Sequence, residues 1–142
     1  PLSALVLLLV LVEFYAGAQP LSRVEHRPID VWLSGQSPGA VAQFPFWQNK
    51  LPALAYDTLM LDKPIIGEPF LAFNTPQFER IQPVLKSFPD QASVDLLREL
   101  GVRWVVVSSS DYKDFDEVRS KIEALGLQLR VAIDGQYAFE ME

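Results

Sequence analysis

The stretch Ser93–Ser109, SVDLLRELGVRWVVVSS, decides how this chain folds. Behind Ser93, a residue type that caps helices, Val94, Leu97 and Leu100 recur at helical spacing. Gly101 then stands where a left-handed residue ends a helix. Arg103 to Ser108 follows with Trp104-Val105-Val106-Val107, apolar and β-branched without alternation. A strand with one wet face would alternate, so this one is predicted to be covered on both faces.

Working outward, the next segments have equally definite signals. Asp114 with Glu117 three residues on has the form of a capping box, and Phe115, Val118, Ile122 and Leu125 recur at helical spacing up to Gly126. Leu127, Leu129, Val131 and Ile133 alternate, Asp134-Gly135 makes a two-residue turn, and Tyr137, Phe139 and Met141 alternate back. This α-β-α-β-β order predicts a small layered α/β domain with a mixed sheet. It should be two- or three-layered, with a parallel crossover and an antiparallel hairpin at one side.

Upstream, Thr75-Pro76 opens a helix with Phe78, Ile81 and Leu85 on its apolar face, which Pro83 should kink or end early. Pro28 to Ser34 reads as a short helix with Ile29, Trp32 and Leu33 inward, closed by Gly35. After the turn at Ser37-Pro38-Gly39, Ala40 to Phe44 reads as a strand stopped by Pro45. Leu51 to Leu61 suits a helix opened by Pro52, and Pro64-Ile65-Ile66-Gly67 a short buried strand.

The first residues are of another kind. From Leu2 to Val12 the sole polar side chain is Ser3, and Glu13 is the one charge before Arg23. That run is shorter than the ~20 residues that cross a bilayer, yet it is apolar on every side, unlike the striped helix of a globular surface. It is read as the outer end of a transmembrane helix whose earlier residues are missing, with Phe14 and Tyr15 as interfacial aromatics. A signal peptide is the rival, since Ala16-Gly17-Ala18 fits a cleavage pattern, although Pro1-Leu2 supplies neither Met nor a basic region. Residues 1–22 are therefore expected to be a membrane helix end and linker, and residues 23–142 the folded domain.

Composition excludes several chemistries. Of 142 residues, 12 are basic and 18 acidic, a net charge of −6 that disfavours a nucleic-acid partner. The chain has no cysteine and one histidine, His26, so thiol chemistry and a multi-histidine metal site are out of reach. His26, between Glu25 and Arg27, reads as a solvated linker residue. Gly35-Gln36-Ser37-Pro38-Gly39 fits the G-x-S-x-G nucleophile elbow, but the oxyanion donor would be the N–H of Pro38, which does not exist. The flanks are also reversed, helix before strand, so a plain turn is the preferred reading. Asp111, Asp114, Asp116 and Glu117 lack the glycine and distant glutamate of a calcium loop and suit a helix N-terminus. Asp62 and Glu68 could pair as acid and base, but nothing fixes their separation. Among the tryptophans, Trp104 reads as core and Trp32 as helix-to-sheet packing, leaving Trp47 as the exposed candidate for stacking on a sugar. No glycine-rich phosphate cradle appears, and the residues alone support no active site.

The order of segments, "PIDVWLSGQSPGAVAQFP", "AYDTLMLDKPIIGE" and "TPQFERIQPVLKSFPDQASVDLLRELGVRWVVVSS", resembles the C-terminal extracytoplasmic region of bacterial GT-C glycosyltransferases. These are polytopic membrane proteins of the dolichyl-phosphate-mannose mannosyltransferase-like group. Val31-Trp32-Leu33-Ser34 and Val41 to Pro45 stand at the places of the family's "YRWLAEQPG" helix and "VVELP" strand. Tyr56, Thr58, Pro64 and, one residue early, Gly67 match a "Y-x-T…P-x-x-x-G" segment. Leu96 to Val107, LLRELGVRWVVV, is similar to "L-x-x-L-G-V-R-Y-V-V-V". At Leu59-Met60-Leu61 the chain departs from a stretch that is more polar in relatives.

The resemblance implies a parent enzyme that moves sugar from a polyprenyl-phosphate carrier outside the membrane, with acidic catalytic residues, and any divalent metal, upstream of Pro1. This fragment would then be non-catalytic and without a cofactor of its own, placed at the cell membrane with residues 23–142 on the periplasmic or extracellular side. Its partners would be the membrane, the membrane-embedded remainder of the parent, and a glycan or lipid-linked sugar that Trp47, Tyr56 and Glu68 are candidates to bind. The alternative is a secreted or membrane-anchored module that binds glycan or protein, using Trp47 and the Phe70–Phe73 loop. An independent enzyme ranks last.

Overall fold

In the computed structural model, which describes Val10 and residues 27–46, 61–66 and 75–142, the Trp104–Val107 run lies in the central strand of a mixed five-stranded sheet. The strands are β1 (Ala40–Phe44), β2 (Ile65–Ile66), β3 (Val102–Ser108), β4 (Gln128–Ile133) and β5 (Gln136–Glu140), in the order β2-β1-β3-β5-β4. β1 pairs parallel with both β2 and β3, whereas β5 lies antiparallel between β3 and β4. The expected parallel crossover and terminal hairpin are both present. Asp134 and Gly135 at its turn both have positive φ, 49° and 75°, as a two-residue type I′ turn requires.

Both faces of β3 are covered. On one side Val105 and Val107 join Leu85, Val94, Leu97, Ile122 and Phe139 in the larger core cluster. That cluster is roofed by α2 (Pro76–Lys86), α3 (Gln91–Glu99) and α4 (Phe115–Ala124). On the other side Trp104 and Val106 meet Ile29 and Leu33 of α1 (Pro28–Ser34), with Val41, Leu61 and Ala138. The layers are therefore three, helices on each side of one sheet. Burying a side chain of this size stabilises by roughly 1.5–3 kcal/mol, so an unbroken apolar strand is stable here only because neither face is wet.

Local signals account for each helix. α1 begins at Pro28, and Arg27 just before it holds buried Asp30 with two hydrogen bonds, Nε to Oδ2 at 2.7 Å and Nη2 to Oδ1 at 2.8 Å. Trp32 meets Trp104 edge-on, with centroids 5.6 Å apart, and ties this short helix to the sheet. Thr75 caps α2 by accepting from the Phe78 N–H at 3.2 Å. Pro83 does not end that helix, which runs on to Lys86. Pro83 lies on the exposed side, and the last turn is fixed by fully buried Leu85 and by Phe88, whose ring stacks 3.9 Å from Phe44 of β1.

Three further expectations need correction. The cap of α3 is Asp90, not Ser93: the Asp90 carboxylate accepts from the Ser93 N–H at 2.8 Å, and Ser93 Oγ accepts from the Asp90 N–H at 3.2 Å. Hydrogen bonds from the Ser93 backbone, and from Ser87 and Ser93 hydroxyls, hold the Asp90 carboxyl below the usual carboxylate range. At α4 Asp114 accepts from the Glu117 N–H, but the Glu117 carboxylate turns away to Lys121 and no reciprocal bond forms. β2 is half-buried rather than buried, as the edge of a sheet should be. The expected helix Leu51–Leu61 lies outside the described residues apart from Leu61, and the expected membrane helix end apart from Val10. Among the described residues no helix is long and apolar enough to cross a membrane.

Leu97→Ala, which empties a fully buried site under α3, is expected to cost about 3 kcal/mol. Asp90→Ala should cost about 1 kcal/mol through the lost cap, and Val31→Ala, on an exposed site, within about 0.5 kcal/mol. Urea denaturation of the three variants measures this ranking.

Candidate functional site

The connection from β1 leads to β2 on one side of the sheet, and that from β3 leads through α4 toward β4 on the other. The carboxyl ends of β1 and β3 thus form a topological switch point, the place where open α/β sheets leave a crevice. The described part of this edge is hydroxyl-rich. β3 ends at buried Ser108, whose Oγ lies 3.0 Å from that of exposed Ser110 within the 3-10 turn Ser109–Asp111. Ser109 donates from its N–H and Oγ to the Gly135 carbonyl, at 2.8 and 3.0 Å, which locks this turn to the β4–β5 hairpin. Tyr112 follows, packed beside Phe115, which in turn rests 4.3 Å from Tyr137. Burial, and then the charge of Asp111, push the Tyr112 phenol up to about 12. It stays a neutral hydrogen-bonding group at physiological pH. The edge offers hydroxyl donors and acceptors and the Asp111 carboxylate beside aromatic rings, an arrangement that can hold a polyol or a peptide.

The expected binding residues Trp47, Tyr56 and Glu68 lie outside the described residues, as does His26. In the sequence Trp47 comes three residues after the end of β1 and Glu68 two residues after the end of β2. Asp62, by contrast, is described and exposed, with a positive φ of 49°. Asp114 and Glu117 serve α4 as cap and ion-pair partner. Among the described residues no group of three or more acidic or histidine side chains is placed to hold a metal ion.

The G-x-S-x-G segment has a structural role. It is the turn from α1 into β1, and the Ser37 carbonyl accepts from Trp104 Nε1 at 3.1 Å and from Lys63 Nζ at 3.2 Å. Lys63, 8% exposed, also donates to the Gln36 carbonyl at 2.9 Å and so binds the carboxyl end of α1. At Gly39 a Cβ would come within 2.5 Å of Arg103 Cβ, so the second glycine is set by close approach to β3 and not by an oxyanion hole. Sequence reading missed Lys63. Its one signal is a lone cation in the apolar context of Leu61-Asp62-Lys63-Pro64-Ile65.

Also missed was an arginine pair at the opposite edge of the sheet. The pairing of β1 with β3 skips Arg103, and that of β4 with β5 skips Arg130, so each is the extra residue of a bulge. Both turn onto Glu140 of β5. Arg103 Nε and Nη2 donate to Oε1 at 3.0 and 2.8 Å, and Arg130 Nε donates to Oε2 at 2.7 Å. The Arg103 hydrogen bond first, aided by Arg130 and opposed by burial, holds the Glu140 carboxyl below the usual range.

No protein-family model, curated protein or solved structure matches this chain.

Gly39→Ala should destabilise by about 1–3 kcal/mol as β1 and β3 are forced apart. Ser37→Ala should stay within about 0.5 kcal/mol, because the bonds at Ser37 are to its carbonyl; equal losses in thermal melts would contradict the turn's structural role. The Glu140 lock makes a pH prediction. With the folded-state pKa depressed, its stabilisation is present above the ordinary glutamate range and lost as pH falls through the folded value. The urea midpoint should therefore fall between about pH 5 and about pH 3, and fall less in Glu140→Gln.

Proposed function

We propose that residues 23–142 are a non-catalytic extracytoplasmic domain of a multi-span membrane protein of the GT-C glycosyltransferase type, tethered by the apolar N-terminal segment. Sugar transfer from the polyprenyl-phosphate carrier, with any divalent metal it needs, belongs to the membrane-embedded remainder of the parent chain. The folded part caps that remainder and shapes access of the acceptor.

One observation carries this reading. Two of the segments that carry the resemblance, Val41 to Pro45 and the best match Leu96 to Val107, are far apart in sequence, yet their strands β1 and β3 lie side by side in parallel register, Val41 opposite Trp104 and Phe44 opposite Val107. Residues that resemble one family at both places therefore form a single packing unit, which favours a shared scaffold over coincidence at either motif. On this reading Trp47, Tyr56 and Glu68 are the residues to meet a glycan or lipid-linked sugar. Trp47 would stack on a sugar ring, while Tyr56 and Glu68 would hydrogen-bond its hydroxyls.

Alkaline phosphatase folds only outside the cytoplasm, so a fusion after Glu142 of the intact gene product tests the placement. An active phosphatase is expected. An inactive phosphatase, together with a fluorescent cytoplasmic reporter fused at the same point, would refute it. Activity released freely into the periplasm or medium, with no membrane-bound fraction, would favour the secreted binding module instead.

A further inference from the structure

The edge of the sheet opposite the switch point carries an open groove of about 610 Å³. Its walls bring together Arg98 at the end of α3, the bulge residues Arg103 and Arg130, and the carboxylates of Glu140 and Glu142. Its floor includes Val102 and Met141, both buried. Three guanidinium groups thus face two carboxylates, with Asp95 beside Arg98, so that local charges balance and the groove stands out by its density of guanidinium N–H donors in a chain whose net charge is −6. The carboxylates are engaged from within: both oxygens of Glu140 accept from Arg103 and Arg130, and Glu142 accepts from Gln128 at 3.1 Å. The guanidinium groups are not used up. Arg103 Nη1 and both Nη atoms of Arg130 take no protein partner among the described residues, and Arg98 uses only Nη1, on Asp95 at 3.2 Å.

From this geometry we infer that the groove is an anion-binding site for a phosphate group carried on a small organic molecule. Planar guanidinium groups present paired N–H donors that match oxyanion geometry, and their weak hydration lets them be covered at modest cost. The unused donors of three arginines exceed what the two oxygens of a carboxylate can accept, and suit the three or four oxygens of a phosphate. Glu140 is a positioning residue. By accepting from Nε of both bulge arginines it restrains their heads while Arg103 Nη1 and both Nη atoms of Arg130 stay unengaged among the described residues, which reduces the entropy lost on binding. The carbonyls at the end of α3 oppose the anion with a partial negative charge, and Arg98, on its last turn, offsets it. The groove's size admits more than a bare ion. The site does not depend on the membrane reading, because its groups all belong to the folded residues.

Two-dimensional ¹H–¹⁵N spectra of arginine Nε–H groups on the full chain, titrated with inorganic phosphate and with glycerol 3-phosphate at constant ionic strength, test this inference. Saturable shifts are expected at Arg98, Arg103 and Arg130, with glycerol 3-phosphate binding at least as tightly. Arg130→Met should weaken binding by about tenfold. Arg98→Met should also weaken it, and leaves the Glu140 lock intact should Arg130→Met unfold the edge. Vesicles containing phosphatidic acid, at matched phosphate, separate the sources of the group: binding to vesicles alone assigns the groove to a lipid headgroup, and binding to the free ester assigns it to a soluble phosphate. The inference fails if neither the free phosphates nor the vesicles bind saturably, if chloride at equal ionic strength reproduces the shifts, or if affinity is unchanged in both arginine variants.

Discussion

The pairing of β3 with β1 is the constraint on which the rest of the molecule depends. Trp104 to Val107 cannot be exposed on either face without losing the burial that stabilises it, so helices must lie on both sides of the sheet. The long side is met by α2, α3 and α4 together. The short side is met largely through Trp104, whose ring meets Trp32 and whose Nε1 holds the turn after α1. One side chain therefore couples the central strand, a seven-residue helix and the turn into β1, with Lys63 securing that turn from a third direction.

The same pairing decides where chemistry can sit. Because β1 and β3 run parallel while their connections depart in opposite directions, their carboxyl ends open an edge beside Ser108, Ser110 and Tyr112. Their amino ends carry the Gly39–Arg103 approach and the arginine groove. The two edges differ in character. One is hydroxylic, suited to sugars or peptides, and the other is rich in guanidinium donors and suited to an oxyanion.

How much of this was legible beforehand follows from where each signal resides. The α3–β3 unit and the Asp134-Gly135 hairpin could be read because they depend on local order: a helical repeat ended by glycine, a continuous apolar run, and a turn of two residues that tolerate positive φ. The cap of α3 was misplaced by three residues because Asp90 and Ser93 are both good capping types and here cooperate. Pro83 misled because its cost depends on which side of the helix it occupies and on how well the next turn is anchored. The bulges at Arg103 and Arg130 were invisible, since an extra residue in one strand becomes apparent only against the register of its partner. For the same reason the Glu140 lock, formed by residues of three strands, left no mark in the local pattern. Trp47, Tyr56 and Glu68 were singled out by residue type and resemblance alone, which name chemistry but do not set geometry.

The central claim is that β3 is an interior strand, covered on both faces and paired on both edges. Amide hydrogen exchange followed residue by residue tests it most directly. The account predicts that the N–H groups of Val105, Val106 and Val107 are among the slowest in the domain, with those of the edge strand β4 exchanging well ahead of them. Exchange of the three valines as fast as that of β4 would contradict it.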